Sequence, residues 1–249
     1  MVSAIQPENL ILALLPRYER RRLAAASTRV DLERGTWLAE SGRPMSHVYF
    51  PLSGVYSVLG STENGQVEIG TIGNEGMIGI PAFLDAGVGL SEVLVQISGQ
   101  ALQLERDEFQ RLAESSPRLQ ERLNLYTQAF LSLTMQSGAC NAMHTAEQRC
   151  ARWLLMTHDR AHSNRFTLSQ EMLARMLGVR RPTVTLATAG LKADGAVSFK
   201  RGYVTISSRR TLRAYACECY GVVAAEYKRL LGPHDAPPGD TDHPTSSAA

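Results

Sequence analysis

The strongest structural signal in the sequence is "LSQEMLARMLGVRRPTVTLATAGL", residues 168–191. Ser169 precedes an amphipathic run in the position of a helix N-cap, and Gly178 ends that run in the manner of a C′ glycine. A second helix is expected three residues later, with Pro182 in its first turn, where a missing N–H costs little. Two short helices joined by a tight glycine turn predict a helix-turn-helix.

The next segment, "DGAVSFKRGYVTIS" (194–207), predicts a β-hairpin that turns at 200–202 and makes the module winged. The second helix of such a module enters the DNA major groove with its N-terminal residues near the base edges. Arg181 is the best candidate for base reading, because arginine donates two hydrogen bonds to guanine O6 and N7. The further candidates are Arg180, Thr183 and Thr185 near the bases, and Ser169, Gln170, Thr188, Lys192, Lys200 and Arg201 at phosphates.

The charge distribution agrees with a module that binds a polyanion. Residues 144–213 carry 13 Lys and Arg against four acidic residues, a local charge of +9, whereas the whole chain carries +2. The flanking segments, 1–143 and 214–249, are acidic at −4 and −3. A basic segment between two acidic ones favours nucleic acid as the partner, the alternative being a winged helix used only for protein contacts.

The N-terminal half has a different character. Residues 7–25 predict one or two short helices broken near Pro16. From Val30 to Leu104, short β-branched and aromatic runs alternate with turn signals, and "ENG" at 63–65 predicts a hairpin. This pattern favours a small antiparallel β-roll over βαβ units. The fold class is therefore α+β.

A long helix is predicted after Ser116. Its apolar residues are spaced by four and three alternately, which is typical of a coiled-coil seam and predicts a homodimer; an ordinary amphipathic core helix is the alternative. The segment "SGACN" (137–141) predicts a hinge, and a second helix follows over 145–161. The predicted dimer seam is Leu119, Leu123, Tyr126, Phe130 and Leu133.

The predicted domain organisation has four parts. Residues 1–115 form a sensor-like β-roll with N-terminal helices, and 116–138 the dimerisation helix. Residues 142–231 form the winged helix-turn-helix domain with an extra C-terminal helix. Residues 232–249 are low in hydrophobic residues and rich in Pro, Gly, Asp, Ser and Thr, so we expect a disordered tail.

These elements, in this order, resemble the Crp/Fnr family of bacterial transcription regulators over about residues 10–230. "LSQEMLARMLGVRRPTV" is similar to the family's helix-turn-helix, and the roll to its cyclic-nucleotide-binding-like domain. "EGMIG", "SGACN" and "CECYGVV" resemble one widespread subgroup. The resemblance implies a homodimer joined through the long helices, a pseudo-palindromic site in double-stranded DNA and contact with RNA polymerase at some promoters.

Two departures from the family pattern affect function. Typical members carry Ser before the recognition-helix Arg and Glu after it. Arg180 and Pro182 hold those places here, which leaves the DNA half-site open. In members that bind cyclic nucleotides, a Glu takes the ribose and an Arg-Ser or Arg-Thr pair takes the phosphate.

Alignment places Ile80 at the Glu position and Leu90 at the Arg position, next to Ser91. Burying a phosphate without a cation is costly, so we expect no control by cyclic AMP. The roll is then a structural platform, or its apolar pocket binds a non-nucleotide small molecule or an atypical nucleotide. The candidate effector pocket is Gly76, Gly79, Ile80, Leu90 and Ser91.

We expect no cofactor or metal at the four cysteines, with a metal or redox role as the alternative. We expect Cys140, Cys150, Cys217 and Cys219 to be reduced, packed thiols, because no C-x-x-C or matched His pair accompanies them. Cys217 and Cys219 would point to different faces of a helix. An iron–sulfur sensor has little support because no cysteine precedes 140. We interpret His47 as a surface or packing residue rather than a haem ligand.

Other function classes have little support. The sequence lacks a nucleophile elbow, a metal-binding His pair and paired catalytic carboxylates, so we do not expect an enzyme. It also lacks an apolar run long enough to cross a membrane and a signal-peptide pattern. We therefore expect a cytoplasmic protein.

Overall fold

The structure is a computed structural model that describes residues 8–63, 65–89 and 91–232. Its N-terminal half is mostly β-structure with short helices at both ends. The predicted break near Pro16 is confirmed, because Pro16 is the N-cap of the second helix. The elements are α1 Leu10–Ala13, α2 Arg17–Ala26, β1 Thr28–Leu32, β2 Trp37–Ala39, β3 His47–Pro51, β4 Val55–Thr62, β5 Gly65–Ile72, α3 Ile80–Phe83, β6 Glu92–Ile97, β7 Gly99–Glu105 and α4 Arg106–Glu114.

Seven strands form the predicted antiparallel roll. One sheet has the order β1-β7-β3 and the other the order β2-β6-β4-β5. The predicted hairpin at 63–65 is confirmed, since Thr62 of β4 pairs with Gly65 of β5. Side chains alternate between the faces of a strand, so Tyr56 and Val58 of β4 point into the roll core while Leu59 points to the other side.

The long helix α5 spans Pro117–Met143. It begins at Ser116, whose Oγ accepts a hydrogen bond from the Leu119 backbone N–H at 3.1 Å. The predicted hinge at 137–141 is wrong, because those residues continue the helix. The break comes instead at the extended residues His144 and Thr145, where a capping box between Thr145 and Gln148 starts the next helix.

The predicted dimer seam is corrected by the burial of its side chains. Leu119, Leu123 and Tyr126 lie in a core with the N-terminal helices and β3, and Leu133 lies in the core shared with the C-terminal half. Phe130 is half-buried among the same cores. Because these residues are covered by their own chain, they have little surface left for a second copy. The heptad spacing thus marks the core-facing side of α5.

The C-terminal half is the predicted winged helix-turn-helix. A three-stranded sheet forms the wing, with the strands Arg165–Thr167, Tyr203–Ile206 and Val197–Lys200 in that order. The turn predicted at 200–202 is confirmed, with positive φ at Arg201 and Gly202. The elements are α6 Ala146–Ala161, β8 Arg165–Thr167, α7 Gln170–Leu177, α8 Arg181–Ala187, α9 Ala189–Ala193, β9 Val197–Lys200, β10 Tyr203–Ile206, α10 Arg209–Tyr215 and α11 Cys219–Leu231.

The two halves share one hydrophobic core. Leu59 of β4, Leu94 of β6 and Leu133 of α5 pack with the buried side chains of α6 and of the helix-turn-helix. The winged helix is therefore held against the outer face of the β2-β6-β4-β5 sheet. Residues 233–249, most of the predicted disordered tail, lie outside the described residues.

Candidate nucleic-acid interface

The helix-turn-helix is built by local signals that match the sequence prediction. Ser169 Oγ accepts a hydrogen bond from the Met172 backbone N–H at 3.1 Å and so caps α7. Gly178 ends that helix with φ of +61°, in the left-handed region that favours glycine. Arg180 is the N-cap of α8 and Pro182 lies in its first turn. The turn therefore fixes where α8 begins.

The outer face of α8 is the surface available for reading bases. Arg180, Arg181 and Thr185 are exposed, and Thr183 is half-buried. Thr185 Oγ1 donates a hydrogen bond to the Arg181 carbonyl at 3.4 Å. On the inner face, Val184 and Ala187 are buried in the domain core. The arrangement presents two guanidinium groups from the first turn of the helix.

One of the predicted phosphate contacts is corrected. Thr188 is fully buried, and its Oγ1 donates to the Thr185 carbonyl at 3.3 Å. It lies where α8 passes into α9, with its side chain turned inward, so it has no free group to offer DNA. The exposed surface of α8 carries Leu186, which was not among the predicted residues and is 75% exposed. An exposed apolar side chain on a recognition helix is the group that can contact a thymine methyl.

Leu186 was missed because we searched for donors and cations. The helical pattern of α8 could have identified Leu186, because this residue follows Thr185 directly and lies on the outward side of the helix.

The wing and the neighbouring helix supply cations at the edges of this face. Lys192, Lys200 and Arg201 are exposed. The Lys192 ammonium lies 5.4 Å from the centre of the Phe199 ring, a cation–π contact that keeps its stem against the wing. These positions lie outside α8, as expected for groups that contact the DNA backbone rather than read bases.

Ser169 and Gln170 stand at the start of α7. Ser169 is exposed, but its hydroxyl oxygen already accepts the capping hydrogen bond, so only its O–H remains to donate to a phosphate. Gln170 is half-buried. Both lie next to the α7 N-terminus, where free backbone N–H groups favour an anion.

The turn between α7 and α8 rests on the roll. A Cβ at Gly178 would lie 3.1 Å from Val67 Cγ2 of β5, so the two surfaces are in close contact. A cleft of about 750 Å³ runs beside this contact and is lined by the β4–β5 hairpin and by Arg180. The turn that precedes the recognition helix therefore lies directly against the sensor-like half.

The roll contains a small cavity at the predicted effector site. Gly79, Ile80 and Ser91 line it together with Phe130 of α5, and its volume is about 50 Å³. Pockets for drug-sized ligands measure about 300–1,000 Å³, so this space holds at most water in the present conformation. The structure thus brings three of the five predicted residues together around a small, largely apolar space.

The other two predicted pocket residues differ. A Cβ at Gly76 would lie 2.5 Å from the Tyr126 hydroxyl oxygen, so this glycine allows the loop to pack on α5. The same hydroxyl donates a hydrogen bond to the Met77 carbonyl at 3.0 Å. Leu90 lies outside the described residues. The loop is therefore tied to the long helix through Tyr126.

Two family models match the chain, and they match its two halves. The cyclic nucleotide-binding domain matches residues 29–116, and the Crp-like helix-turn-helix domain matches residues 148–215. The chain belongs to the Crp/Fnr family.

Solved structures of Crp/Fnr regulators share this fold at low sequence identity. The c-di-GMP responsive global regulator CLP from Xanthomonas campestris has a TM-score of 0.64 and 18% identity, over 78% of this chain and 100% of that one. FixK2 from Bradyrhizobium japonicum has a TM-score of 0.64 and 18% identity, over 77% and 98%.

A Crp/Fnr regulator from Eubacterium rectale has a TM-score of 0.65 and 15% identity, over 84% of this chain and 99% of that one. No curated protein matches the chain. Crp/Fnr members are DNA-binding transcription regulators, a class distinct from enzymes. Within the described residues, no helix is both long enough and apolar enough to span a bilayer.

An ion pair buried between the two halves of this Crp/Fnr chain was not predicted. Arg160 Nε of α6 donates to Glu75 Oε1, in the loop after β5, at 2.7 Å. Burial lowers the pKa of Arg160, but the charge of Glu75 and the neighbouring Tyr227 raise it, and the net shift is upward. A cavity of about 250 Å³ adjoins the pair, lined largely by apolar atoms of α6 and α11. Sequence reasoning missed the pair because its partners are 85 residues apart.

The cysteines are buried, but their placement corrects the sequence interpretation. Cys217 precedes α11 and Cys219 is its first residue, so the two do not lie on different faces of one helix as predicted. Their thiols converge with Cys140 of α5 and with His144 at its end. Cys150 lies apart, in the core of the winged helix.

Both ring nitrogens of His47 are engaged, by Glu105 Oε1 and Ser46 Oγ, each at 2.9 Å.

Proposed function

We propose that this chain is a sequence-specific transcription regulator that binds a pseudo-palindromic DNA site as a homodimer, without control by cyclic AMP. The observation that carries the proposal is the surface of α8, where Arg180, Arg181, Thr185 and Leu186 face solvent together. A recognition helix with donors and an apolar contact in its first turns can distinguish base pairs in the major groove.

Direct readout and backbone contact are divided between two sets of residues. Arg181 stands in the first turn of α8, where a guanidinium can reach guanine O6 and N7. Lys192, Lys200 and Arg201 neutralise phosphates at the edges and fix the register of the domain on the duplex. The +9 charge of residues 144–213 supports this division.

The homodimer is supported by a second stripe of α5, on a different side of the helix from the residues first predicted. Leu131 and Met135 are 50% and 68% exposed, and Gly138 and Ala142 continue the stripe with spacings of four, three and four. Val222 of α11 is also exposed. An apolar stripe with heptad spacing on a 27-residue helix is suited to pairing with a second copy around a two-fold axis. Contact with RNA polymerase at promoters is part of the same proposal.

Independence from cyclic AMP is supported by the interior of the roll. Its cavity of about 50 Å³ is walled by Ile80, by other apolar side chains and by the α5 residue Phe130. A phosphate placed there would lose its water without gaining a cation, which costs several kcal/mol. The roll then acts as a platform that holds the helix-turn-helix and α5.

A receptor for a non-nucleotide ligand is the second candidate. The cavity of about 250 Å³ beside the Glu75–Arg160 pair favours it, because it joins the roll loop to α6 and α11. A thermal-shift screen of small metabolites, repeated with Ala224→Trp to fill the cavity, separates the two ideas. A saturable shift that Ala224→Trp removes supports the receptor, and the lack of any such shift supports the platform.

Genome-wide mapping of bound sites, followed by fluorescence anisotropy, tests the main proposal. We expect the mapped sites to share an inverted repeat, and the purified chain to bind that duplex at least about 1,000-fold more tightly than a scrambled one. Equal affinity for both duplexes would contradict sequence-specific binding. A tenfold or greater tightening on adding cyclic AMP would contradict the independence from that nucleotide.

A further inference from the structure

Three thiols and one imidazole converge where the long helix meets the C-terminal helix. The ligating atoms of Cys140, His144, Cys217 and Cys219 all lie within 4.8 Å of one another. Cys140 Sγ is 3.5 Å from Cys217 Sγ, and Cys219 Sγ is 3.5 Å from His144 Nδ1. The three cysteines are buried and His144 is half-buried. The two ends of the cluster are 79 residues apart in the chain, so the fold assembles it.

The two shortest of these separations, both 3.5 Å, are close to those of a tetrahedral metal site. With Zn–S bonds of about 2.3 Å and Zn–N bonds of about 2.0–2.1 Å, tetrahedral geometry places ligand sulfurs about 3.8 Å apart and sulfur and nitrogen about 3.6 Å apart. The observed contacts at 3.5 Å differ from these values by a few tenths of an ångström. Three Cys and one His are also a ligand set that structural zinc sites use.

The groups around the cluster are placed to orient the ligands. His144 directs Nδ1 to the thiols, while its Nε2 lies 3.1 Å from Glu218 Oε1. An imidazole whose second nitrogen donates to a carboxylate is the usual arrangement of a zinc-bound histidine. Gln136 Nε2 donates a hydrogen bond to Cys219 Sγ at 3.0 Å. Two ligands therefore already have the outer hydrogen bonds that a metal site requires.

The local charge suits three thiolates around a dication. Three thiolates, one neutral imidazole and Zn²⁺ carry a net charge of −1, which needs a nearby cation if it is buried. Arg149 and Arg152 of α6 both interact electrostatically with Cys140. Arg152 is itself buried and donates to Ser137 Oγ, one turn before Cys140. The surroundings can therefore balance a negatively charged metal complex.

A disulfide explains less of the arrangement. Cys140 and Cys217 are close enough to react, but such a bond would leave the third thiol and the imidazole without a role. It would also give no reason for the Glu218 and Gln136 contacts. A closed set of four protein ligands, with no position left for water, indicates a structural site rather than a catalytic one.

We propose that Cys140, His144, Cys217 and Cys219 bind one Zn²⁺ per chain in a closed tetrahedral site. The ion joins the start of α11 to the end of α5, next to the break at His144 and Thr145 where the winged helix begins. Binding requires each thiol to release its proton to solvent as the sulfur becomes a ligand. The site fixes the direction in which α6 leaves the long helix and thereby the orientation of the DNA-binding half.

The test uses the full-length chain without an affinity tag, reduced with a phosphine under anaerobic conditions. Metal analysis gives the zinc content, and titration of the metal-depleted chain with Co²⁺ gives the ligand set from its absorption spectrum. We expect one equivalent of metal per chain and the thiolate-to-cobalt charge-transfer and visible bands of a tetrahedral site. Less than one tenth of an equivalent of either ion would overturn the proposal, as would finding a Cys140–Cys217 disulfide in the protein purified without reductant.

Matched variants locate the site. Cys219→Ser and His144→Gln should each lower the affinity for Co²⁺ at least tenfold, whereas Cys150→Ser, which changes another buried cysteine outside the cluster, should not change it. Equal losses of Co²⁺ affinity in Cys150→Ser and Cys219→Ser would overturn the proposal. Circular dichroism checks that each variant folds. If both cluster variants fail to fold, the wild-type chain decides: a chelator should lower its melting temperature and added Zn²⁺ should restore it, and no change would overturn the proposal.

Discussion

Arg181 is the residue on which the proposed base recognition depends most directly. Its guanidinium is exposed in the first turn of α8, and none of the salt bridges found among the described residues involves it, so it is available to a guanine. Arg181→Ala should therefore weaken binding to the mapped site by about 1–3 kcal/mol and relax the preference at one base position. Anisotropy with duplexes substituted at each position measures both effects.

Lys200→Ala is the matched control for that substitution, since it removes a cation from the wing. We expect it to weaken binding to all duplexes about equally. The number of phosphate contacts inferred from the salt dependence of binding should fall by about one. If Arg181→Ala weakens binding to all duplexes equally and leaves the base preference unchanged, this arginine contacts the DNA backbone instead of a base.

Glu68 is a buried acid whose titration should be visible in stability. Burial raises its pKa, and the hydrogen bond from Thr71 Oγ1 at 2.6 Å with the charge of Arg152 only partly opposes the rise. Above the unfolded value of 4.5, the folded chain therefore binds more protons than the unfolded chain. The free energy of unfolding should fall as pH rises through this window, by up to about 1.4 kcal/mol per pH unit.

Glu68→Gln should remove this part of the pH dependence, because it replaces the titrating carboxyl with a neutral amide. Urea unfolding at a series of pH values measures the slope. Glu114→Gln, at an exposed position of α4, is the control and should leave the slope unchanged. An unchanged slope in Glu68→Gln would show that another group titrates.

Helix α5 shows which structural features could be predicted from the sequence and which could not. The helix, the roll hairpins, the helix-turn-helix and the wing follow from apolar spacing and turn residues, which act locally. The spacing also shows that one side of α5 is apolar, but not which surface covers it. Leu123 and Leu133 meet the chain's own core, while Leu131 remains exposed. Contacts such as Cys140 with Cys217 depend on the fold and leave no local trace.

The exposed stripe of α5 gives a test of the dimer. Leu131→Asp would bury two carboxylates near the two-fold axis, so we expect the dimer dissociation constant to rise at least tenfold. Leu84→Asp is the control, because Leu84 is similarly exposed at 56% but lies on the roll. Sedimentation equilibrium measures both. If Leu131→Asp leaves a stable dimer, the two copies meet through a different surface.

The Glu75–Arg160 pair connects the two halves of the chain, because it joins the roll loop to α6. Removing one partner leaves the other charge buried, so Glu75→Gln or Arg160→Met should each lower the free energy of unfolding by about 3–5 kcal/mol. The double variant should lose less than the sum of the two single losses. Chemical denaturation of the three variants measures this coupling.

The exposed pair between Arg20 and Glu8 is the control, and Glu8→Gln should change stability little. Additive losses in the double variant would mean that Glu75 and Arg160 stabilise the chain separately. In that case the loop and α6 are not coupled through this contact.

Strand β4 has a further consequence, since one of its faces is covered by the roll and the other by the winged helix. Cutting the chain between α5 and α6 would leave two fragments, each with a bare apolar surface around Leu59 on one side and Leu155 on the other. Neither fragment should be stable alone, because its apolar surface would be exposed to water. We therefore expect the two halves to unfold in one cooperative transition. A substitution that destabilises the roll should then also destabilise the DNA-binding half, however far the substitution lies from α8.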